Sequence, residues 1–174
     1  MTSRDVPPQD PSQDKSLCKP LLEASSEGKT SEVQRILASS GNIVNCVDDH
    51  NGQTVLMYVV HGGHADTTHE HGAALEAFDI GRGYTVLMWA SVRGHADAAR
   101  MLVLRGASLG RSTRITIGQP SDSLDVGEPF RAVLMWAIHF GHADTVRVLV
   151  EHGASLEAVD NWGSNALEAR GNER

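Results

Sequence analysis

The motif Gly-His-Ala-Asp occurs three times in this chain, and this repetition constrains the fold more than any other feature. The copies begin at Gly63, Gly94 and Gly141. Each copy follows a Val-Leu-Met segment at the same spacing and precedes a Gly-Ala-x-Leu segment. Self-similarity of this kind indicates stacked copies of one small structural unit. The sequence therefore predicts a repeat architecture and not a single unique active site.

The repeated frame resembles the ankyrin repeat, a unit of about 33 residues that consists of a turn and two helices. The Thr-Pro-Leu-His segment of that family reads Thr-Val-Leu-Met at Thr54 and Thr85, and Ala-Val-Leu-Met at Ala132. The two threonines are expected to cap the first helices. Valine replaces the proline that would preset the first helical residue. Methionine replaces the histidine, so a pliable thioether is expected to fill the space of that ring without its hydrogen bonds.

Other positions of the frame also fit two helices per unit. The motif glycine falls where the first helix ends and a left-handed backbone is needed. The motif aspartate falls in the first turn of the second helix, where a negative charge suits the helix dipole. The second helix of the last full copy carries an apolar stripe, which consists of Val146, Val148, Leu149 and Val150. Packing between helices or repeats is expected for Ser91, Trp89 and Trp136.

The resemblance implies an all-α fold, an ankyrin-repeat solenoid of helix-turn-helix units joined by β-turn or hairpin loops, with one elongated loop between repeats. We expect a disordered polar tail at 1–16, a repeat domain at 17–170 and a C-terminal tail at 171–174. The repeats are expected at about 17–48, 49–78, 79–109 and 128–159, with an insert at about 110–127 and a partial cap at 160–170. In the first repeat, Pro20 is expected to open the first helix.

Two departures from the period stand out. Thr54 and Thr85 are 31 positions apart, which leaves repeat two with a short, polar second helix at 64–71. We expect this repeat to be the weakest link, because each missing buried aliphatic side chain is worth about 1.5 to 3 kcal/mol. Thr85 and Ala132 are 47 positions apart, which inserts the segment at about 110–127. This insert is either a β-finger, since its ends alternate apolar and polar residues, or a disordered loop.

A histidine cluster between His61 and His71 suggests a metal site at first sight. His64 and His71 have equivalents in other repeats, which leaves only His61 and His69 without a repeat explanation. No cysteine is nearby, and the spacing matches none of the usual closed zinc sites. We therefore expect no metal and no cofactor, and metal-modulated binding stays the weakest of the alternatives.

Composition and charge argue against several functional classes. The 174 residues carry a formal net charge of −7, whereas nucleic-acid binders normally present a clustered basic face. No apolar run reaches the roughly 18 residues that a membrane span requires, and we expect no signal peptide. Cys18 and Cys46 belong to no motif and are expected to be separate reduced thiols in the cytosol or the nucleus. No phosphate loop, nucleophile elbow or apolar carboxylate pair occurs, so we expect no catalysis.

The resemblance implies a non-catalytic scaffold or adaptor, monomeric on its own, that binds another protein through the turn tips and the concave face of the first helices. The candidate residues on the turns are His50, Asn51, Gln53, Arg82, Tyr84, Asn161 and Trp162. On the first helices they are His61, Val92, Arg93, His139 and Phe140, and near the insert Arg111 and Arg114. Tyr84, Arg93, Phe140 and Trp162 are the expected anchors, because interfaces are enriched in aromatic residues and arginine. The alternative is a degenerate or truncated repeat protein with a structural role in a larger assembly.

Overall fold

The computed structural model describes residues 11–39, 43–64, 72–110 and 132–159, together with Asn165. The helices in this part of the chain are α1 (Pro11–Ser26), α2 (Thr30–Ser39), α3 (Val55–His61), α4 (Val86–Arg93), α5 (Ala96–Leu104), α6 (Val133–His139) and α7 (Ala143–Glu151). None of these described helices is long and apolar enough to cross a membrane. The expected all-α fold is confirmed.

The helices form two layers. Helix α1 contacts α3, α3 contacts α4, and α4 contacts α6, so the first helices of successive repeats lie side by side. The second helices α5 and α7 contact each other in the same way. Within a repeat, α1 packs on α2, α4 on α5, and α6 on α7. Antiparallel bridges close the turns between repeats, at Val47 with Thr54, Phe78 with Thr85, and Val159 with Asn165.

Two of the first helices begin with the same reciprocal cap. The hydroxyl of Thr54 accepts a hydrogen bond from the backbone N–H of Met57 at 3.3 Å, and Met57 Sδ accepts one from the N–H of Thr54 at 3.4 Å. Thr85 and Met88 repeat both bonds, at 3.4 and 3.5 Å. The expected threonine caps are confirmed. The methionines have a role that the sequence did not indicate, because a thioether is only a weak acceptor.

The motif glycines end the first helices as predicted, with φ of 78° at Gly63, 75° at Gly94 and 73° at Gly141. The motif histidine of the next repeat packs directly on this glycine: a Cβ on Gly94 would lie 2.5 Å from Nδ1 of His142. His142 Nε2 also donates a hydrogen bond to the carbonyl oxygen of Val92 at 3.0 Å. Gly94 is therefore required for its backbone angle and, separately, for the space that the imidazole fills.

We predict that Gly94→Ala destabilises the fold more than Gly141→Ala. Both substitutions place a side chain at positive φ, which costs about 1 to 2 kcal/mol. Only the first forces a methyl group into the His142 ring, since no atom of the described residues lies within 4 Å of a Cβ at Gly141, and such overpacking adds about 1 to 3 kcal/mol. Urea unfolding measures both losses. In a His142→Ala background the two glycine substitutions should cost the same; a persisting difference would show that the contact is not the cause.

The buried apolar side chains that the structure describes form two clusters, which meet at helix α3. One cluster covers α1, α2 and the start of α3, and its members include Leu21, Val33, Ile36, Leu37 and Val55. The other extends from α3 to the segment after α7 and contains Trp89 and Trp136, whose predicted burial is confirmed. The short second helix expected in repeat two lies mostly on residues 65–71, and the insert mostly on 111–127. Both segments lie outside the described residues, so these expectations stay predictions.

One predicted apolar stripe differs in part from the structure. Val148 and Leu149 of α7 are buried, but Val150 is 39% exposed. The buried face of α7 instead consists of Thr145, Val148 and Leu149, which follow the helical spacing of three and four residues. Val150 lies one position beyond this face and points away from it. Ser91 is fully buried and its hydroxyl donates to the carbonyl oxygen of Leu87, which confirms the predicted packing position.

Helix α1 begins earlier than expected. It starts at Pro11, within the predicted tail at 1–16, and it runs through Pro20 instead of starting there. Leu21 and Ala24 are buried and Leu17 packs against the same cluster. These three positions are spaced four and three residues apart, so they share one helical face that continues across Pro20. Packing of this face outweighs the loss of one backbone hydrogen bond at the proline.

The prediction that Cys18 and Cys46 are separate reduced thiols is wrong. Cys18 on α1 and Cys46 in the turn before α3 form a disulfide, with their Cα atoms 5.6 Å apart. They are 28 residues apart in sequence, and they meet because α1 packs against α3. The cytosolic or nuclear location expected from free thiols loses that basis.

We predict that the disulfide stabilises the N-terminal repeat. Closing a loop of this length removes unfolded-state entropy worth roughly 3 to 4 kcal/mol. The oxidised wild type should therefore melt at a higher temperature than Cys18→Ser, and a reductant should abolish the difference. A Cys18→Ser/Cys46→Ser double variant, which has no thiol to reduce, is the control. Identical melting of the wild type with and without reductant would contradict the prediction.

Candidate functional site

A cluster of basic side chains surrounds Trp89 on helix α4. The indole is only 6% exposed, and the ring of His61 meets it edge-on at 5.4 Å between ring centres. The guanidinium carbons of Arg82 and Arg93 lie 5.9 and 6.0 Å from the indole ring centre, within the range of a cation–π interaction. We call Trp89, His61, Arg82 and Arg93 the Trp89 cluster. It joins the turn before α4 to the ends of α3 and α4.

Asp79 holds this cluster in position. Its carboxylate accepts hydrogen bonds from the backbone N–H groups of Arg82 at 2.6 Å and Gly83 at 2.9 Å, and from Nε1 of Trp89 at 2.9 Å. The side chain is 2% exposed, and a buried carboxylate needs such donors to offset the loss of water. One residue thus fixes both the turn that carries Arg82 and the indole that the guanidinium group covers.

The preceding turn has the same arrangement around Asp48. Its carboxylate accepts hydrogen bonds from the hydroxyl of Tyr58 at 2.9 Å and from the backbone amides of His50, Asn51 and Gln53. Burial raises the pKa of the Asp48 carboxyl, but these donors outweigh it and hold that pKa below its usual range. Burial and the bond to Asp48 raise the pKa of Tyr58 to about 12. Each turn is therefore fixed by an aspartate that binds an aromatic side chain ten residues later.

We predict that Asp79→Ala costs more stability than Asp48→Ala. Removing the Asp79 carboxylate leaves Nε1 of Trp89 and the backbone N–H of Arg82 without this acceptor, and one unsatisfied buried donor costs about 1 to 3 kcal/mol. The N–H of Gly83 keeps the backbone carbonyl oxygen of residue 79 as an acceptor, at 3.1 Å. Asp48 is only half-buried, so water can replace its carboxylate. Equilibrium unfolding in urea measures both variants. Equal losses would contradict the role given to burial of Asp79.

The turns of repeats two and three form one groove beside the cluster. The backbone N–H of Ile80 donates to the carbonyl oxygen of Asn51 at 2.7 Å, which ties the two turns together. The groove between them has a volume of about 300 Å³ and is lined by Asn51, Gln53, Asp79, Gly81, Arg82 and Trp89. Its walls thus combine side-chain amides, a guanidinium group and the edge of an aromatic ring. Such a groove can take a polar segment of another chain.

His61 completes the cluster and contacts Arg93. Partial burial lowers the pKa of its imidazole, and the neighbouring Arg93 and His95 side chains lower it further. Arg93 Nη2 contacts Nε2 of His61, which accepts a hydrogen bond in the neutral ring. Nε2 of His95 donates to the carbonyl oxygen of His61 at 3.3 Å. His61 therefore orients the guanidinium group of Arg93 through its ring nitrogen.

A second exposed patch lies at the end of helix α6. Phe140 is 47% exposed, and its ring stacks near Trp136 at 6.1 Å and His142 at 6.3 Å between ring centres. His139 is exposed and meets Phe140 edge-on at 4.9 Å. Because Phe140 and Arg93 both directly precede a motif glycine, they occupy equivalent positions on neighbouring first helices. The exposure expected for Arg93, His139 and Phe140 is present.

The expectation that Tyr84 is an exposed anchor is wrong. Tyr84 is 2% exposed, and its ring meets Trp89 at 5.6 Å and Trp136 at 5.1 Å. It fills the space between the indoles of two adjacent repeats, so it contributes to the core. Val92 is half-buried and packs against the same core.

The other candidate residues divide into two groups. The first group lies on the turn tips. His50 and Asn51 are exposed and Gln53 is half-buried on the turn before α3, and Arg82 is exposed on the turn before α4. The remaining candidates, Arg111, Arg114, Asn161 and Trp162, lie outside the described residues. Asp48 and Asp79 organise the turns, a role that was not predicted from the sequence. The sequence does contain a pattern that could have indicated this role, because at two successive turns an aspartate lies ten residues before an aromatic residue.

Among the described residues, no group of three or more His, Cys, Asp or Glu side chains could hold a metal ion. His61 and His64 belong to the histidine cluster seen in the sequence, whereas His69 and His71 lie outside the described part.

Comparison with known families agrees with the stacked architecture. A model for ankyrin repeats in three copies matches residues 21–113, and a model for a single ankyrin repeat matches residues 131–161. No curated protein matches the chain. The matched ranges cover more than half of the sequence and contain helices α2 to α7. The chain therefore belongs to the ankyrin-repeat family.

Proposed function

We propose that this chain is a non-catalytic scaffold or adaptor that binds a partner protein along the turn tips and the exposed ends of its first helices. Ankyrin repeats are generally protein–protein interaction modules. A protein partner, in preference to nucleic acid, is supported by the formal net charge of −7.

The observation that carries the proposal is a continuous row of exposed side chains across adjacent repeats. Helices α3, α4 and α6 pack side by side, so their C-terminal ends lie next to one another. These ends carry His61, Arg93, His139 and Phe140, all of which are exposed. Arginine and aromatic residues are enriched in interfaces. The row lies on one layer of the solenoid, where one partner can contact several repeats at once.

The second-helix layer offers a matched comparison. Arg100 on α5 and Val150 on α7 are also exposed, but they lie in the other layer of helices. Replacing these two residues removes one arginine and one apolar side chain, as does replacing Arg93 and Phe140. The two double variants therefore differ in location while the chemistry of what they lose is similar.

We predict that Arg93→Ala/Phe140→Ala abolishes capture of proteins that the wild type retains, while Arg100→Ala/Val150→Ala does not. If the two anchors together contribute about 2 kcal/mol or more to the binding free energy, their loss weakens binding by at least about thirtyfold. Quantitative mass spectrometry after affinity capture compares the three forms, and circular dichroism checks that each is folded. If Arg93→Ala/Phe140→Ala still captures the partners and Arg100→Ala/Val150→Ala does not, the binding surface lies on the layer of second helices.

A further inference from the structure

We propose that the Trp89 cluster recognises an acidic segment of the partner, with Arg82 and Arg93 binding its carboxylates. This inference rests on the proposed function and adds the chemistry of the bound segment. Four observations support it: the two arginines without a carboxylate partner, their orientation by Trp89, the adjoining groove, and the negative net charge of the whole chain.

The first feature is that neither guanidinium group has a carboxylate partner among the described residues, although one nitrogen of Arg93 contacts His61. Arg82 and Arg93 are exposed, and neither forms a salt bridge with a carboxylate in the described ranges, whereas Arg35 pairs with Glu32. Asp79, which lines the same groove, already accepts from two backbone amides and from the indole. Each guanidinium group has five N–H donors in a planar fork that matches a carboxylate.

The second feature is preorganisation. Both guanidinium carbons lie within 6.0 Å of the Trp89 ring centre, and the indole is itself fixed by its bond to Asp79. Arg82 also lies 5.9 Å from the ring centre of Tyr84. Aromatic contacts restrict these long side chains before a ligand arrives, which reduces the entropy lost on binding.

The third feature is the groove between the two turns. It is lined by Arg82 and by the side chains of Asn51 and Gln53. Amide side chains can donate to and accept from a peptide backbone, so they suit an extended segment whose carboxylates lie on the arginines. A volume of about 300 Å³ accommodates a few residues and not a folded surface.

The fourth feature is the net charge of the whole chain. The whole chain carries a formal net charge of −7, so the basic character of the Trp89 cluster is local. A nucleic acid needs a basic stripe that follows many phosphates, and it would be repelled by the rest of the surface. A short acidic segment meets the two arginines without covering the acidic regions.

The test is selection from a random twelve-residue peptide display library on the full-length chain. Three forms are compared: the wild type, Arg82→Gln/Arg93→Gln, and Arg100→Gln/Arg147→Gln. The third form also loses two positive charges, but from exposed positions on α5 and α7. It therefore separates a local contact from a change in net charge.

We expect peptides rich in Asp and Glu to be enriched on the wild type and on the control variant, but not on Arg82→Gln/Arg93→Gln. For a synthetic copy of an enriched peptide, the Kd should rise at least about tenfold with Arg82→Gln/Arg93→Gln and less than about twofold with the control. Arg82→Lys/Arg93→Lys keeps the charge without the fork and should give an intermediate loss. Replacing the peptide carboxylates by amides should abolish binding.

Several results would overturn the inference. Enriched peptides without acidic bias, or the same acidic enrichment on Arg82→Gln/Arg93→Gln as on the wild type, would show that the cluster does not select carboxylates. Tighter arginine-dependent binding of a double-stranded DNA oligonucleotide would show that its ligand is a phosphate polymer. The capture experiment with Arg93→Ala/Phe140→Ala is scored separately. If it succeeds while the peptide selection fails, the binding surface stands and only the acidic partner is rejected.

Discussion

The contact between the motif histidine of one repeat and a glycine of the preceding repeat sets the spacing of this stack. His64 lies against Gly28, His95 against Gly63, and His142 against Gly94. A glycine has no side chain to keep the imidazole away, so adjacent repeats approach closely at these points. This close approach helps to hold the first helices side by side. The row of exposed residues at the ends of α3, α4 and α6 depends on that arrangement.

The Trp89 indole connects this stacking to the surface. It belongs to the larger apolar cluster and contacts Tyr84, yet its ring also lies beside two exposed arginines. Its polar edge is satisfied by Asp79, so the same ring can be buried without an unpaired N–H group. Core packing and surface chemistry are thus coupled through one side chain. A change in repeat spacing would move the arginines as well as the core.

Much of the fold was predictable because repetition reveals which positions are equivalent. Aligned copies identified the helix ends, the threonine caps and the buried tryptophans. Repetition could not predict features that occur once. Tyr84 lies in a turn, where its side chain could face either the solvent or the core. Only its packing against the two indoles determines that the ring is buried. The Cys18–Cys46 pair likewise depends on how α1 lies over α3. Of the candidate surface, exposure of Arg93 and Phe140 was predictable. The bond of Asp79 to Trp89 is marked in the sequence only by a ten-residue spacing, and the structure shows what that spacing does.

The sulfur caps at Met57 and Met88 give each of these repeats a built-in chemical reporter. Both thioethers are almost fully buried, so a peroxide in solution can reach them only when the start of that helix opens. Oxidation would convert the sulfur into a bulky, polar sulfoxide that no longer fits the capped turn. The rate at which each methionine is oxidised would therefore report the opening equilibrium of its own repeat. Damage by oxidants would in turn begin at whichever repeat opens most often.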